Sequence, residues 1–192
     1  MTSVTATNGR SRAHQDFGLV IVTGPPGAGK TTVSRLLAER FERGVCLDGD
    51  AFWQFIRTGW IAPWEPASQR QNGTVIDAVS RAALTYVRDG YGVVVDGIVS
   101  PSLLDRFVDE ARRDEVELRY VVLRPDREVT RQRAVGRGAP WLTETGPIDV
   151  LYELFSSLGS YEQNVFDSSD LSAEETERLL WSDLESGRFT LP

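Results

Sequence analysis

The chain has 192 residues, about one domain's worth, and is long enough to bury a core without disulfides. Its 28 acidic and 21 basic residues leave a net charge of −7, so a basic nucleic-acid binder is disfavoured. One cysteine, Cys46, and one histidine, His14, exclude a disulfide framework, a cysteine-rich zinc site and a multi-histidine metal centre.

No apolar run approaches the roughly 18 residues that cross a bilayer. Residues 1–16 are Ser/Thr/Asn/Arg-rich and have no apolar centre, so they read as a flexible tail and not a secretory signal. A single domain over 17–192, without membrane association and cytoplasmic, is the expectation.

Along the chain, FGLVIVT (residues 17–23) is a continuous β-branched run, as in a strand covered on both faces. A glycine-rich turn leads into a helix predicted over 31–43, with Val33, Leu36, Leu37 and Phe41 at helical spacing. A short strand at 45–47 ends in Asp48-Gly49-Asp50, and a helix is expected over 51–57. Residues 58–66 hold Gly59, Pro63 and Pro66 and read as a loop before a long helix up to about Arg88. Strand 92–97, helix 103–113, strand 116–123 and helix 126–135 follow. A Gly/Pro/Thr-rich patch comes next, then a helix over 148–158 and a short strand at 164–166. Ser172 and Glu175 are spaced for a capping box on a last helix. Five strands alternating with helices predict an α/β fold, one parallel sheet covered on both faces.

The strongest signal is GPPGAGKT, residues 24–31, which fits G-x-x-x-x-G-K-[ST] between a buried strand and a helix. Gly24, Gly27 and Gly29, with Pro25, Pro26 and Ala28 between them, let successive amides curl round an anion at a helix N-terminus. Lys30 is placed for the β- and γ-phosphates of ATP, the Thr31 hydroxyl for Mg²⁺, and Thr32 completes the nucleotide-binding set. No guanine-reading N-K-x-D and no LSGGQ-like stretch is present, which argues against a switch GTPase or a transporter ATPase.

A P-loop does not fix the reaction. Asp48 and Asp50 end the second strand, at the edge where open α/β sheets bind ligands. Asp50 is placed for an attacking hydroxyl and Asp48 for the metal shell; alternatively Asp50 only caps the helix that begins at Ala51. Asp96, ending the strand VVVD, reads as a Mg²⁺-holding acid or as a turn residue. Arg127, Arg131, Arg133 and Arg137 crowd one helix and its glycine-rich exit, a local reversal of charge suited to transition-state stabilisation; Arg127 alone suits a solvated face. Trp53, Trp60 and Trp64, with Phe52 and Phe55, offer either aromatic walls for an acceptor or a plug on the core. Arg57, Arg70, Gln71 and Asn72 supply candidate polar contacts.

The loop GPPGAGKTT, LDGD, VVVDG and the arginine segment together resemble the small P-loop kinases: the shikimate kinase, gluconate kinase, chloramphenicol phosphotransferase and zeta-toxin-like group. The resemblance covers about 17–180. It implies sheet order 2-3-1-4-5, ATP and Mg²⁺ as cofactors, a lid near 137–147 and an acceptor region near 50–72. It implies Lys30, Asp50, Arg133 and Arg137 as catalytic, and Arg131 near the adenine. Thr31, Asp48 and Asp96 would hold metal. The acceptor side would be Asp50, Trp53, Arg57, Trp60, Trp64 and Arg70. The implied DSSD stretch, 167–170, lies beside the adenine or caps the last helix. DGIVSP stands where shikimate kinases carry a glycine triplet, and the D-x-D pattern of gluconate kinases is unmatched. The expected activity is transfer of the γ-phosphate of ATP to a hydroxyl of a small molecule such as an antibiotic or other metabolite, by a monomer or homodimer. A nucleic-acid or nucleotide kinase and a non-catalytic ATP-binding regulator are the alternatives, nucleic acid being the less favoured partner.

Overall fold

The computed structural model describes residues 18–136 and 145–192. Its strands are β1 (Leu19–Thr23), β2 (Gly44–Asp48), β3 (Gly92–Asp96), β4 (Leu118–Leu123) and β5 (Val165–Phe166). All pair in parallel, in the order β2-β3-β1-β4-β5. β1, β3 and β4 are buried along their whole length, which is why they read as unbroken apolar runs. Each such valine, leucine or isoleucine contributes about 1.5–3 kcal/mol through removal from water. β2 is an edge strand and only half-buried, so Cys46 is half-buried too, and that burial pushes its thiol up to about 11.

The helices are α1 (Lys30–Ala38), α2 (Ala51–Gln54), α3 (Gln69–Arg88), α4 (Pro101–Arg113), α5 (Arg127–Gly136), α6 (Thr145–Glu153) and α7 (Ala173–Glu185). One core lies between the sheet and α3–α4, with Ile76, Val79, Leu104 and Phe107 inward. The other lies between the sheet and α1–α7, with Val33, Leu37, Leu180 and Trp181. The capping box forms as its spacing predicts: Ser172 Oγ accepts from Glu175 N–H at 3.1 Å, and the Glu175 carboxylate accepts from Ser172 N–H at 2.9 Å. No helix among the described residues is long and apolar enough to cross a membrane.

Several boundaries differ from expectation for local reasons. α1 ends at Ala38 instead of running to Arg43, because Phe41 turns in to pack on Gly92 and Trp181. α2 is a single turn and stops before Arg57. α4 starts at Pro101, whose fixed φ suits the first helical position. α6 stops at Glu153, and the Arg124 guanidinium takes the Phe155 carbonyl at 2.9 Å.

The end of the sheet away from the strand C-termini is closed tightly. A methyl group on Gly92 would lie 2.1 Å from the Phe41 ring, which is itself buried. Gly92→Ala is therefore expected to destabilise by about 1–3 kcal/mol in urea unfolding, as overpacking does. In a double-mutant cycle, Phe41→Leu should cost less in the Gly92→Ala background than in wild type.

Candidate functional site

The phosphate loop follows from two constraints. Gly24 has φ 138°, and a Cβ there would lie 2.1 Å from the Leu123 carbonyl oxygen of β4, so only glycine lets the chain leave β1 against that strand. The loop then closes on itself through Ala28 N–H to Pro25 O at 3.2 Å. Gly29, at φ 93°, delivers the chain into α1. Residues 24–28 are buried, and Lys30 is 7% exposed with Nζ donating to Pro25 O at 3.1 Å. The loop is thus a preformed cradle with an ammonium over its mouth.

The strand ends beside it are tied to one backbone unit, Val99. Thr23 Oγ1 accepts from Val99 N–H at 2.9 Å and donates to Val99 O at 3.2 Å. Tyr120 Oη donates to the same carbonyl at 2.8 Å. The adjacent Ile98 N–H donates to Asp50 Oδ1 at 3.1 Å. Asp50 makes no cap bond to α2; that task falls to Asp48, whose Oδ1 accepts from Ala51 N–H at 3.1 Å. The first acid ties the turn, and the second is held from across the sheet and lines the cleft.

Asp50 sits where the cleft admits solvent, yet protein surrounds it on most sides. That surrounding raises its pKa above the ordinary carboxylate value, and the Lys30 charge and the Ile98 N–H pull the other way. Asp96 is 4% exposed and also raised, by burial first, with Lys30 and the Thr31 hydroxyl countering. Its Oδ1 is buried with no hydrogen-bond partner. A hard divalent cation takes oxygen ligands, so an orphaned carboxylate oxygen beside the Thr31 hydroxyl fits Mg²⁺. Among the described residues no three acidic, histidine or cysteine side chains form a metal cage. That suits an ion held mainly by phosphate and water.

From the loop, a cleft of about 1180 Å³ opens past Lys30, Thr31 and Asp50 toward α3, α4 and α6. Trp53, Trp60, Trp64 and Arg70 line it. Trp53 is both wall and core: it is 9% exposed, and its indole N–H donates to Asn72 Oδ1 at 3.0 Å. Arg57 is exposed and does not join the described wall. Phe52 and Phe55 face a separate, shallower groove.

Gln71 lies off the cleft wall, whereas Asn72 lines it, and both bond the tryptophan loop. Gln71 accepts from Ile61 N–H at 2.8 Å and donates to Ile61 O at 2.7 Å, and the Asn72 amide donates to Pro63 O at 2.7 Å. They tie the tryptophan loop to α3. Missed entirely were Arg106 on α4, Val150 and Leu151 on α6, and Leu154 directly after it. The i, i+4 spacing of Val150 and Leu154 was the available signal.

Of the arginine segment, Arg131 and Arg133 are exposed on α5, and Arg137 lies outside the described residues, as does most of the lid expected at 137–147. Arg127 is not simply solvated. It pairs with Glu153, lies 3.7 Å from Asp149 and stacks 4.6 Å above the Tyr152 ring, fastening α5 to α6. Within the DSSD stretch, Ser169 Oγ accepts from Asp126 N–H at 2.8 Å, tying this loop to the start of α5.

A solved structure of a Mycobacterium tuberculosis APS kinase, CysC, in complex with AMPPNP and APS shares this fold with TM-score 0.66 at 17% identity, covering 87% of this chain and 96% of that one. A gluconokinase from Sinorhizobium meliloti 1021 aligns with TM-score 0.66 at 19% identity, covering 91% and 95%. A cytidylate kinase from Desulfurococcus amylolyticus is 29% identical over 91 residues, 47% of this chain and about half, 49%, of that protein's length. The fold is that of the small P-loop kinases. A family model described as an AAA domain, AAA_33, matches residues 19–147, more than half of the sequence, and the chain belongs to that family.

Proposed function

We propose that this protein is an ATP- and Mg²⁺-dependent phosphotransferase that moves the γ-phosphate of ATP to a hydroxyl of a small molecule. The observation that carries this reading is the placement of Lys30 and Asp50 on one cleft, cradle on one side and a chamber with aromatic walls on the other. The Gly24–Thr32 loop binds the phosphates of ATP through the main-chain N–H groups of its non-proline residues, Ala28 among them, with Pro25 and Pro26 shaping the turn, and Lys30 neutralises charge at the transferring group. The acceptor oxygen attacks the γ-phosphorus as the bond to the β–γ bridging oxygen breaks. ADP leaves with that bond's electron pair, and the hydroxyl proton passes to an Asp50 oxygen. When bound, Mg²⁺ draws charge from the β- and γ-phosphates; Thr31 and Asp96 would hold it, Asp96 through water. Asp48 adds negative charge nearby while tying its turn. Arg131 is assigned to the adenine side, and Arg133 and Arg137 to the developing charge on the phosphate. The stretch similar to a cytidylate kinase favours a second reading, in which the acceptor is a nucleoside monophosphate.

Asp50→Asn should lower phosphoryl transfer about 10²–10⁴-fold while Mg·ATP affinity by calorimetry stays within a few-fold of wild type. Lys30→Met should weaken both. A non-catalytic nucleotide-binding regulator would show no transfer in any variant, and CMP in the acceptor panel separates the second reading.

Transfer requires an ionised Asp50. Because its pKa lies above the usual value of about 3.9, the acid limb of kcat/KM should fall at higher pH than an ordinary aspartate gives.

Asp96 makes a converse prediction for stability. A carboxyl raised on folding contributes stability below its unfolded pKa, and this is lost as pH rises through the folded pKa; near neutrality the ionised group weakens the fold. Asp96→Asn should therefore raise the ligand-free melting temperature at pH 7 by a few degrees, about 2–4 °C per kcal/mol, while abolishing Mg²⁺-dependent transfer. A lower melting temperature in differential scanning calorimetry would count against this account.

A further inference from the structure

The acceptor chamber has two properties that together define a ligand class. The first is exposed apolar surface. Among the described residues, five large hydrophobic side chains are exposed, and three of them, Trp60 at 47%, Val150 at 50% and Leu154 at 44%, line this one cleft. Leu103, Leu151 and Trp64 continue the same wall. Val150 on α6 and Leu154, directly after its last residue, stand four residues apart, while Leu151, Phe155 and Leu158 are buried beside them. Exposed apolar surface gathered in one concavity marks a binding site, whereas scattered exposed side chains do not.

The second property is charge balance. Among the described residues, the charged groups lining the chamber beyond Lys30 and Asp50, which serve the transfer, are Glu65, Arg70 and Arg106. Arg106 donates from one nitrogen to both oxygens of Asp77, each at 2.8 Å, so its charge is already compensated. Glu65 and Arg70 cancel in sum. Among the described residues, the acceptor end therefore offers no net positive charge to a sugar acid, a sulfate ester or a nucleoside monophosphate, each of which needs unpaired cations when taken out of water.

We infer that the acceptor is a neutral, bulky alcohol with an apolar ring system, its hydroxyl at Asp50 and its rings between the tryptophan loop and the Val150–Leu154 stripe. This inference rests on the kinase reading and narrows it. At about 1180 Å³, the cleft exceeds what the terminal phosphates alone require and suits a drug-sized molecule. Indole faces supply flat contact for such rings.

The test uses the full chain loaded with Mg·AMPPNP and three probes: 2-(2-naphthyl)ethanol, gluconate and CMP. Binding is read by quenching of tryptophan fluorescence and checked by equilibrium dialysis. The naphthyl alcohol should bind saturably, at least tenfold more tightly than gluconate or CMP. Leu154→Glu and Val150→Glu, both at exposed positions, should each weaken it tenfold or more at an unchanged melting temperature. Equal or tighter binding of gluconate or CMP, no saturable binding of the naphthyl alcohol, or unchanged affinity in both variants would overturn the inference while leaving the kinase reading in place. Failure of the wild-type protein to bind Mg·AMPPNP, seen in a separate titration, would remove the kinase reading and this inference with it.

Discussion

β1 and β4 are both tied to the peptide groups of Val99, three residues past the end of β3. Thr23 closes β1 on it from both sides, and Tyr120 reaches it from β4. These groups are buried, so each bond is made where water cannot substitute for it, and losing a partner leaves a polar group stranded. The preceding peptide carries the Ile98 N–H that holds Asp50. The distance between the phosphate loop, which leaves β1, and the acid, which follows β2, is therefore set by short side chains, Thr23 and Asp50, bonded to neighbouring backbone groups after β3. A reaction that depends on placing an alcohol in line with a phosphorus atom needs that kind of fixed separation.

The legible part of this molecule is the part where local rules and global packing agree. The strands are continuous apolar runs because both faces of the central sheet are covered. The loop GPPGAGKT could be read because Gly24 and Gly29 both take backbone angles that other residues avoid, whereas the close approach of Gly24 to the Leu123 carbonyl lies outside local sequence. The Ser172–Glu175 box is local. The division of labour between Asp48 and Asp50 was not legible. Both are two residues apart at a strand end, and which one ties the turn is decided by Ile98, far along the chain. The true end of α1 was likewise hidden, because Phe41 continues the helical spacing but turns to meet Gly92.

The α6 wall shows the same limit from another side. The i, i+4 spacing of Val150 and Leu154 places them on one face, but spacing alone does not say that this face borders a cleft. Their direction is imposed by tertiary contacts: Phe155 in the core, Arg124 on the Phe155 carbonyl and on Glu162 at 2.8 Å, and Arg127 on Glu153 and Tyr152. Arg127 looked like surface because its partners lie in a later helix.

The tryptophan loop and α6 are fastened by contacts largely separate from those that build the phosphate cradle. The loop hangs from α3 by Gln71 and Asn72, and α6 hangs from Arg124, Arg127 and Phe155. Swapping either segment would leave Thr23, Val99 and Tyr120 undisturbed. Such modularity lets the donor half stay constant while the acceptor half is retailored, so that substrate preference can diversify without renegotiating the geometry of the chemistry.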